Sequence, residues 1–74
     1  MFSVDEIVEI EVPEYEFYIK DHNDKWIPSG DYVRGKIIRE IQLNGGSLLY
    51  KVKLFVKGEP EYLLNYADLK KVSN

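Results

Sequence analysis

The sequence predicts a small all-β domain whose sheet closes, or nearly closes, into a barrel. Three observations predict it. Apolar residues recur with period two, not about 3.6, along almost the whole chain. Val, Ile, Tyr and Phe dominate those periodic positions, and these residues suit a pleated, half-buried surface. Short clusters of Gly, Pro, Asn and Asp separate the periodic segments. Short strands joined by such turns, in a chain of 74 residues, favour a sheet that folds onto itself.

The elements follow in order. Val8, Ile10 and Val12 alternate with Ile7, Glu9 and Glu11, which reads as a strand with one buried face. Pro13 ends or bends it, because proline cannot donate to a central ladder. Tyr15, Phe17 and Ile19 alternate with Glu16, Tyr18 and Lys20 in a second extended piece. Asp21-His22-Asn23-Asp24 is a turn, since Asn and Asp side chains bond nearby backbone and tolerate left-handed geometry. Trp26-Ile27 precedes another turn at Pro28-Ser29-Gly30-Asp31.

Tyr32 to Ile41 is a long strand, with Val33, Gly35, Ile37 and Ile41 on one face and Arg34, Lys36, Ile38 and Glu40 on the other. Gly35 inside it implies a bulge or a close backbone approach. Asn44-Gly45-Gly46 is a hairpin turn, because positive φ costs these residues little. From Ser47 to Val56, Leu48, Tyr50, Val52, Leu54 and Val56 point one way and Leu49, Lys51, Lys53 and Phe55 the other. Lys57-Gly58-Glu59-Pro60 turns the chain, Glu61 to Leu64 is a short strand, Tyr66 to Leu69 a single 3₁₀ turn, and Lys70 to Val72 a closing strand. The expected core is Val8, Ile10, Val33, Ile37, Tyr50, Val52 and Leu54, capped by Leu63 or Leu64 and by Leu69.

This order of elements resembles the SH3-like barrels of the Tudor, agenet, chromo-barrel and KOW type. Val4-Asp5-Glu6-Ile7-Val8-Glu9-Ile10 is similar to the "G-D-x-V-E-V" first strand of agenet and Tudor modules, departing at Val4, where glycine is usual. Trp26 stands where many of them place an aromatic before the second long strand. Val33-Arg34-Gly35-Lys36-Ile37-Ile38 resembles their "V-x-G-x-V" strand, and Tyr50-Lys51-Val52 the following "Y-x-V". Asn65-Tyr66-Ala67-Asp68-Leu69-Lys70 looks like the terminal 3₁₀ turn and "D-L-R" closure. The resemblance implies one SH3-like five-stranded barrel over residues 1–74, with a 3₁₀ turn before the last strand. The stretch from Tyr15 to Pro28 is longer than a minimal Tudor loop and reads as this protein's own elaboration. Because this barrel hosts many unrelated partners, the likeness speaks to fold more than to function.

Bulk properties narrow the function. A chain this short buries only roughly 60% of its unfolded surface, leaving little room for an enclosed catalytic pocket. With no cysteine and one histidine, disulfide and metal staples are not expected. No stretch approaches the roughly 20 apolar residues of a membrane helix. The N-terminus has neither the basic start nor the apolar run of a signal peptide, so a complete short reading frame in the cytoplasm is expected.

Catalysis lacks its usual groups. His22 sits in a turn and reads as solvated; Ser3, Ser29, Ser47 and Ser73 have no partner at a recognisable spacing; Glu9 and Glu11 read as a solvated strand face. No phosphate loop or metal spacing is present, so no enzyme activity and no cofactor are expected.

Aromatics are the remaining candidates. Tyr15, Phe17, Tyr18, Trp26, Tyr32, Tyr50, Phe55, Tyr62 and Tyr66 cannot all fit inside so small a barrel. Trp26, Tyr32 and Tyr66 lie beside loops, where the resemblance puts an exposed groove or cage for a methylated cation or a proline-rich peptide. The leading expectation is therefore a protein or peptide partner held by these three.

Two alternatives stand beside it. Arg34, Lys36, Lys51 and Lys53 share a strand face with Phe55 and Ile38, which suits nucleic acid, although the net charge of −3 opposes it. Residues 1–17 carry six acids and no base, a net −6, and residues 18–74 ten bases and seven acids, a net +3. Either neighbouring strands neutralise one another, or the acidic first strand meets a basic partner site, as in a small phage or mobile-element inhibitor. Oligomeric state is not legible.

Overall fold

A computed structural model describes residues 2–14 and 16–72. Tyr15, expected at the start of the second extended piece, and Ser73 lie outside the described residues. The elements are β1 (Ile7–Glu11), β2 (Tyr18–Lys20), β3 (Trp26–Pro28), β4 (Tyr32–Gln42), β5 (Leu48–Leu54), β6 (Glu61–Asn65), a 3₁₀ turn (Tyr66–Asp68) and β7 (Lys70–Lys71). All pairings are antiparallel. The main sheet runs β6-β5-β4-β1-β7, and β2 and β3 form a separate two-stranded ribbon.

The class is all-β, with no α-helix among the described residues. Its five-stranded sheet is open, with β6 and β7 as edges that no ladder among the described residues joins. The sheet nevertheless curls. Ile10 on β1 and Leu64 on β6 are not ladder neighbours, yet they line the same groove.

Turn chemistry sets the connections. Asp21 Oδ1 accepts from the backbone N–H groups of Asn23 and Lys25, at 2.8 and 3.0 Å, and Asp24 takes φ 61°, so the β2–β3 turn closes on side-chain hydrogen bonds. Gly45 and Gly46, at φ 89° and 88°, reverse the chain between β4 and β5. Asn65 caps the 3₁₀ turn: its Oδ1 accepts from Ala67 N–H, while Asp68 Oδ2 accepts from the Asn65 N–H.

The buried core comprises Phe2, Val8, Ile10, Val33, Ile37, Tyr50, Val52, Leu54, Val56 and Leu69. Every residue expected from the alternation is in it. Leu64 is half-buried against it, and Leu63 is exposed. Phe2 is an addition, meeting the Tyr50 ring edge-on at 5.8 Å between centroids. Val52 is fully buried between Ile37 and Tyr62 in the ladder. Val52→Ala is expected to cost about 1–3 kcal/mol through lost burial and the cavity left behind. A denaturation midpoint equal to the parent's would refute that placement.

Two details of β4 differ from expectation or refine it. At Gly35 there is a close approach: an added Cβ would lie 2.7 Å from the Lys53 carbonyl oxygen and 2.8 Å from Val52 Cγ1. The irregularity in the ladder comes further along, where Ile37 pairs with Val52 and Arg39 with Lys51, leaving Ile38 extra. That extra residue reverses the alternation. Ile41 pairs with Leu49 and thus joins the outer face with Lys51, rather than the core face of Val33 and Ile37.

Candidate functional site

The ladder places the outer faces of β1, β4 and β5 side by side, and with them most of the charge. Glu9 lies opposite Arg34, and Ile7 opposite Lys36, which in turn faces Lys53. Arg34 Nε is 3.8 Å from Glu9 Oε2, Lys36 Nζ 3.8 Å from Asp5 Oδ1, and Lys51 Nζ 3.4 Å from Glu61 Oε1. Lys71 Nζ reaches Glu6 Oε2 at 3.9 Å. Acidic and basic strands are thus neighbours. Three of the N-terminal acids, Asp5, Glu6 and Glu9, meet bases from β4 and β7. Three of the four bases expected to form a nucleic-acid face already have a carboxylate beside them. These pairs are solvent-exposed, so each contributes about 0–1 kcal/mol.

The aromatic residues fall into two groups. Trp26 pairs with Lys20 across the β2–β3 ribbon. Lys20 Nζ lies 5.3 Å from the Trp26 ring centre, and Lys57 Nζ lies 5.6 Å from it. The Lys57 N–H donates to the Tyr18 carbonyl at 2.8 Å, which ties the segment after β5 to the ribbon. An open groove beside Trp26 is lined by Phe55, Val56 and Glu59. Phe55 continues β5 past its regular end, its N–H donating to the Arg34 carbonyl at 2.8 Å. A second groove runs from Phe55 to Tyr32, over Ile19 and Arg34. Lys70 Nζ stands 5.2 Å over the Tyr32 ring. Trp26, Phe55 and Tyr32 are 43%, 47% and 44% exposed, so Phe55 bridges two half-open aromatic residues into one surface.

Tyr66 belongs elsewhere. At 61% exposure it leans on Phe2, 5.5 Å between centroids, next to the Phe2–Tyr50 contact. It lines neither the groove beside Trp26 nor the groove beside Tyr32. Of the three aromatics expected to act together, the structure therefore brings Trp26 and Tyr32 together through Phe55 and puts Tyr66 in a separate cluster.

The sequence reading put Phe55 with the basic face and overlooked Lys20, Lys57 and Lys70. A signal existed for Lys20. It is as far before the Asp21–Asp24 turn as Trp26 is after the facing turn residue Lys25, so a hairpin through that turn pairs them. Lys57 and Lys70 reach the surface only through the fold.

A third groove lies between β1 and β6. Ile10, Phe17, Leu54, Tyr62 and Leu64 line it, with Glu11 and Glu16 at its rim. Phe17 meets Tyr62 edge-on there, 6.2 Å between centroids. His22 is exposed in its turn, and no group of three or more His, Asp or Glu side chains comes together among the described residues. No helix among them is long and apolar enough to cross a membrane.

The chain matches no family model, no curated protein and no solved structure.

Proposed function

We propose that the chain is a non-enzymatic binding module on an SH3-like barrel framework, and that it takes a protein or peptide partner on the Trp26–Phe55–Tyr32 surface. The strand order supports the framework: the last strand lies beside the first, the first beside a long strand that also pairs with the next, and a 3₁₀ turn precedes the last. One observation carries the functional reading. Three large aromatics from three segments are left nearly half exposed and contiguous, although the chain has a complete apolar core without them. Tyr and Trp offer broad rigid contact with little rotamer entropy to lose, and they dominate interface hot spots.

The alternatives draw less support. Arg34, Lys36 and Lys51 are engaged by in-chain carboxylates, which lowers what that face offers to phosphates. Half of the acidic N-terminal set is engaged likewise, which weakens the inhibitor reading.

The test is titration of a partner recovered with the parent chain. Trp26→Ala should weaken binding by about 2 kcal/mol or more, roughly 30-fold in Kd, while circular dichroism remains that of the folded parent. Lys51→Glu/Lys53→Glu should mainly change salt dependence and association rate. Undiminished affinity for folded Trp26→Ala, together with loss of binding in the lysine variant, would move the site to the strand face.

A further inference from the structure

We infer that the segment taken up by the Trp26–Phe55–Tyr32 surface is an acidic peptide, with carboxylates meeting Lys20 and Lys57 beside Trp26 and an apolar side chain against Phe55. This rests on the reading of that surface as the binding site, and it goes further by fixing the charge of the ligand.

Arg34, Lys36, Lys51 and Lys71 each have a carboxylate within 4 Å. Among the described residues Lys20, Lys25, Arg39, Lys53, Lys57 and Lys70 have none, and of these Lys20 and Lys57 stand over Trp26 and Lys70 over Tyr32. Glu59 lies in the Trp26 groove, whereas the Tyr32 end is rich in carboxylates: Glu9 pairs with Lys70 and with Arg34 in the ladder, Glu11 pairs with Tyr32, and Glu11 and Asp68 line a groove with Lys70. Two ammonium groups against one carboxylate therefore leave positive charge in excess at the Trp26 end, even though the whole chain is at −3.

The same geometry sorts the ligand classes. A methylated cation needs an aromatic face, and both Trp26 and Tyr32 already have an ammonium group of their own chain over the ring. A single-stranded nucleic acid needs ring faces for its bases to stack on, and it must bring phosphates to a negatively charged protein. A peptide carboxylate competes for neither. It meets an ammonium group that the ring has already restrained, so less side-chain freedom is lost on binding.

Trp26 is the only tryptophan, so its fluorescence and its indole N–H signal report this surface directly. The probes are a short capped peptide alternating Glu with Leu, the same peptide with Lys for Glu, the same with Gln for Glu, and an oligothymidylate. Each is titrated into the isotope-labelled full chain at low and physiological salt.

The acidic peptide should shift the Trp26 indole signal saturably, bind about tenfold tighter than the Gln peptide, and weaken as salt rises. Lys20→Glu/Lys57→Glu, folded by its spectrum, should lose that advantage, and Lys51→Glu/Lys53→Glu should keep it. Equal or tighter binding of the Lys or Gln peptide at Trp26 would overturn the acidic ligand and leave the surface standing. Tighter binding of the oligothymidylate at Trp26 would replace the peptide with nucleic acid. If no probe moves the Trp26 signals, or if the acidic peptide perturbs only other residues, the inference and the reading beneath it both fall.

Discussion

Tyr50→Ala is expected to lower the unfolding free energy by about 3–5 kcal/mol, the range for truncating a buried aromatic. Tyr50 is 1% exposed and among the largest side chains that are fully buried. It lies between Glu40 of β4 and Leu64 of β6 in the ladder, and the ring of Phe2 closes over it. Truncation would empty the space between three strands and the N-terminal segment, and ladder hydrogen bonds on both sides hinder collapse into it. A domain of this length has a total stability on the order of 4–11 kcal/mol, so the variant should be near or past its unfolding threshold at room temperature. Tyr62→Ala is the comparison. Tyr62 is 41% exposed on edge strand β6, and its loss should cost distinctly less. Urea titration of both by circular dichroism decides the matter. Equal midpoints for the two would contradict the placement of Tyr50 at the centre of the core.

Gly35→Val should also destabilise, by about 2–3 kcal/mol, the cost of overpacking a filled interior. Strand propensity argues the other way, since valine is much the better strand former by up to about 1 kcal/mol. The distances decide between them. The new Cβ would fall 2.7 Å from the Lys53 carbonyl oxygen, 2.8 Å from Val52 Cγ1 and 3.2 Å from Leu54 Cδ2. The carbonyl is backbone in the middle of the sheet and cannot turn aside, because β5 is held by β4 on one side and β6 on the other. Gly35→Ala carries the same Cβ and should lose stability too. A Gly35→Val midpoint at or above the parent's would show that β5 gives way easily there.

What could be read from the sequence followed from where alternation persists. Val8, Ile10, Val33, Ile37, Tyr50, Val52 and Leu54 are legible because each sits in an uninterrupted period-two run. Phe2 was not legible: it precedes every strand, so no periodicity marks it. Ile41 was misplaced because one extra residue, Ile38, reverses the pleat, and nothing in Ile37-Ile38-Arg39 marks a bulge. Gly35 drew attention correctly, as a point of crowding.

In the candidate site, Trp26 and Tyr32 stood out as large aromatics beside turns. Their link through Phe55 did not, because Phe55 alternates with lysines and reads as part of their face. Lys20, Lys57 and Lys70 are far apart in the chain, and only the pairing of β2 with β3, the Lys57–Tyr18 hydrogen bond and the placement of β7 beside β1 collect them.

The pairing of Val8 with Lys71 ties local unfolding to the surface that holds Tyr32. It joins residues 63 positions apart, against at most 29 for the β1–β4 pairs such as Ile7 with Lys36. Closing the longer segment costs only about 0.6 kcal/mol more. In return β7 contributes a ladder of two lysines, so its docking is the least secured in the sheet. Detachment of β7 beyond buried Leu69 is accordingly a local opening that leaves the other four strands of the sheet paired. Lys70, which faces Tyr32, rides on that strand. A partner seated on Tyr32 therefore draws on the equilibrium between docked and detached β7, and by linkage it must protect the C-terminal strand from opening as it binds.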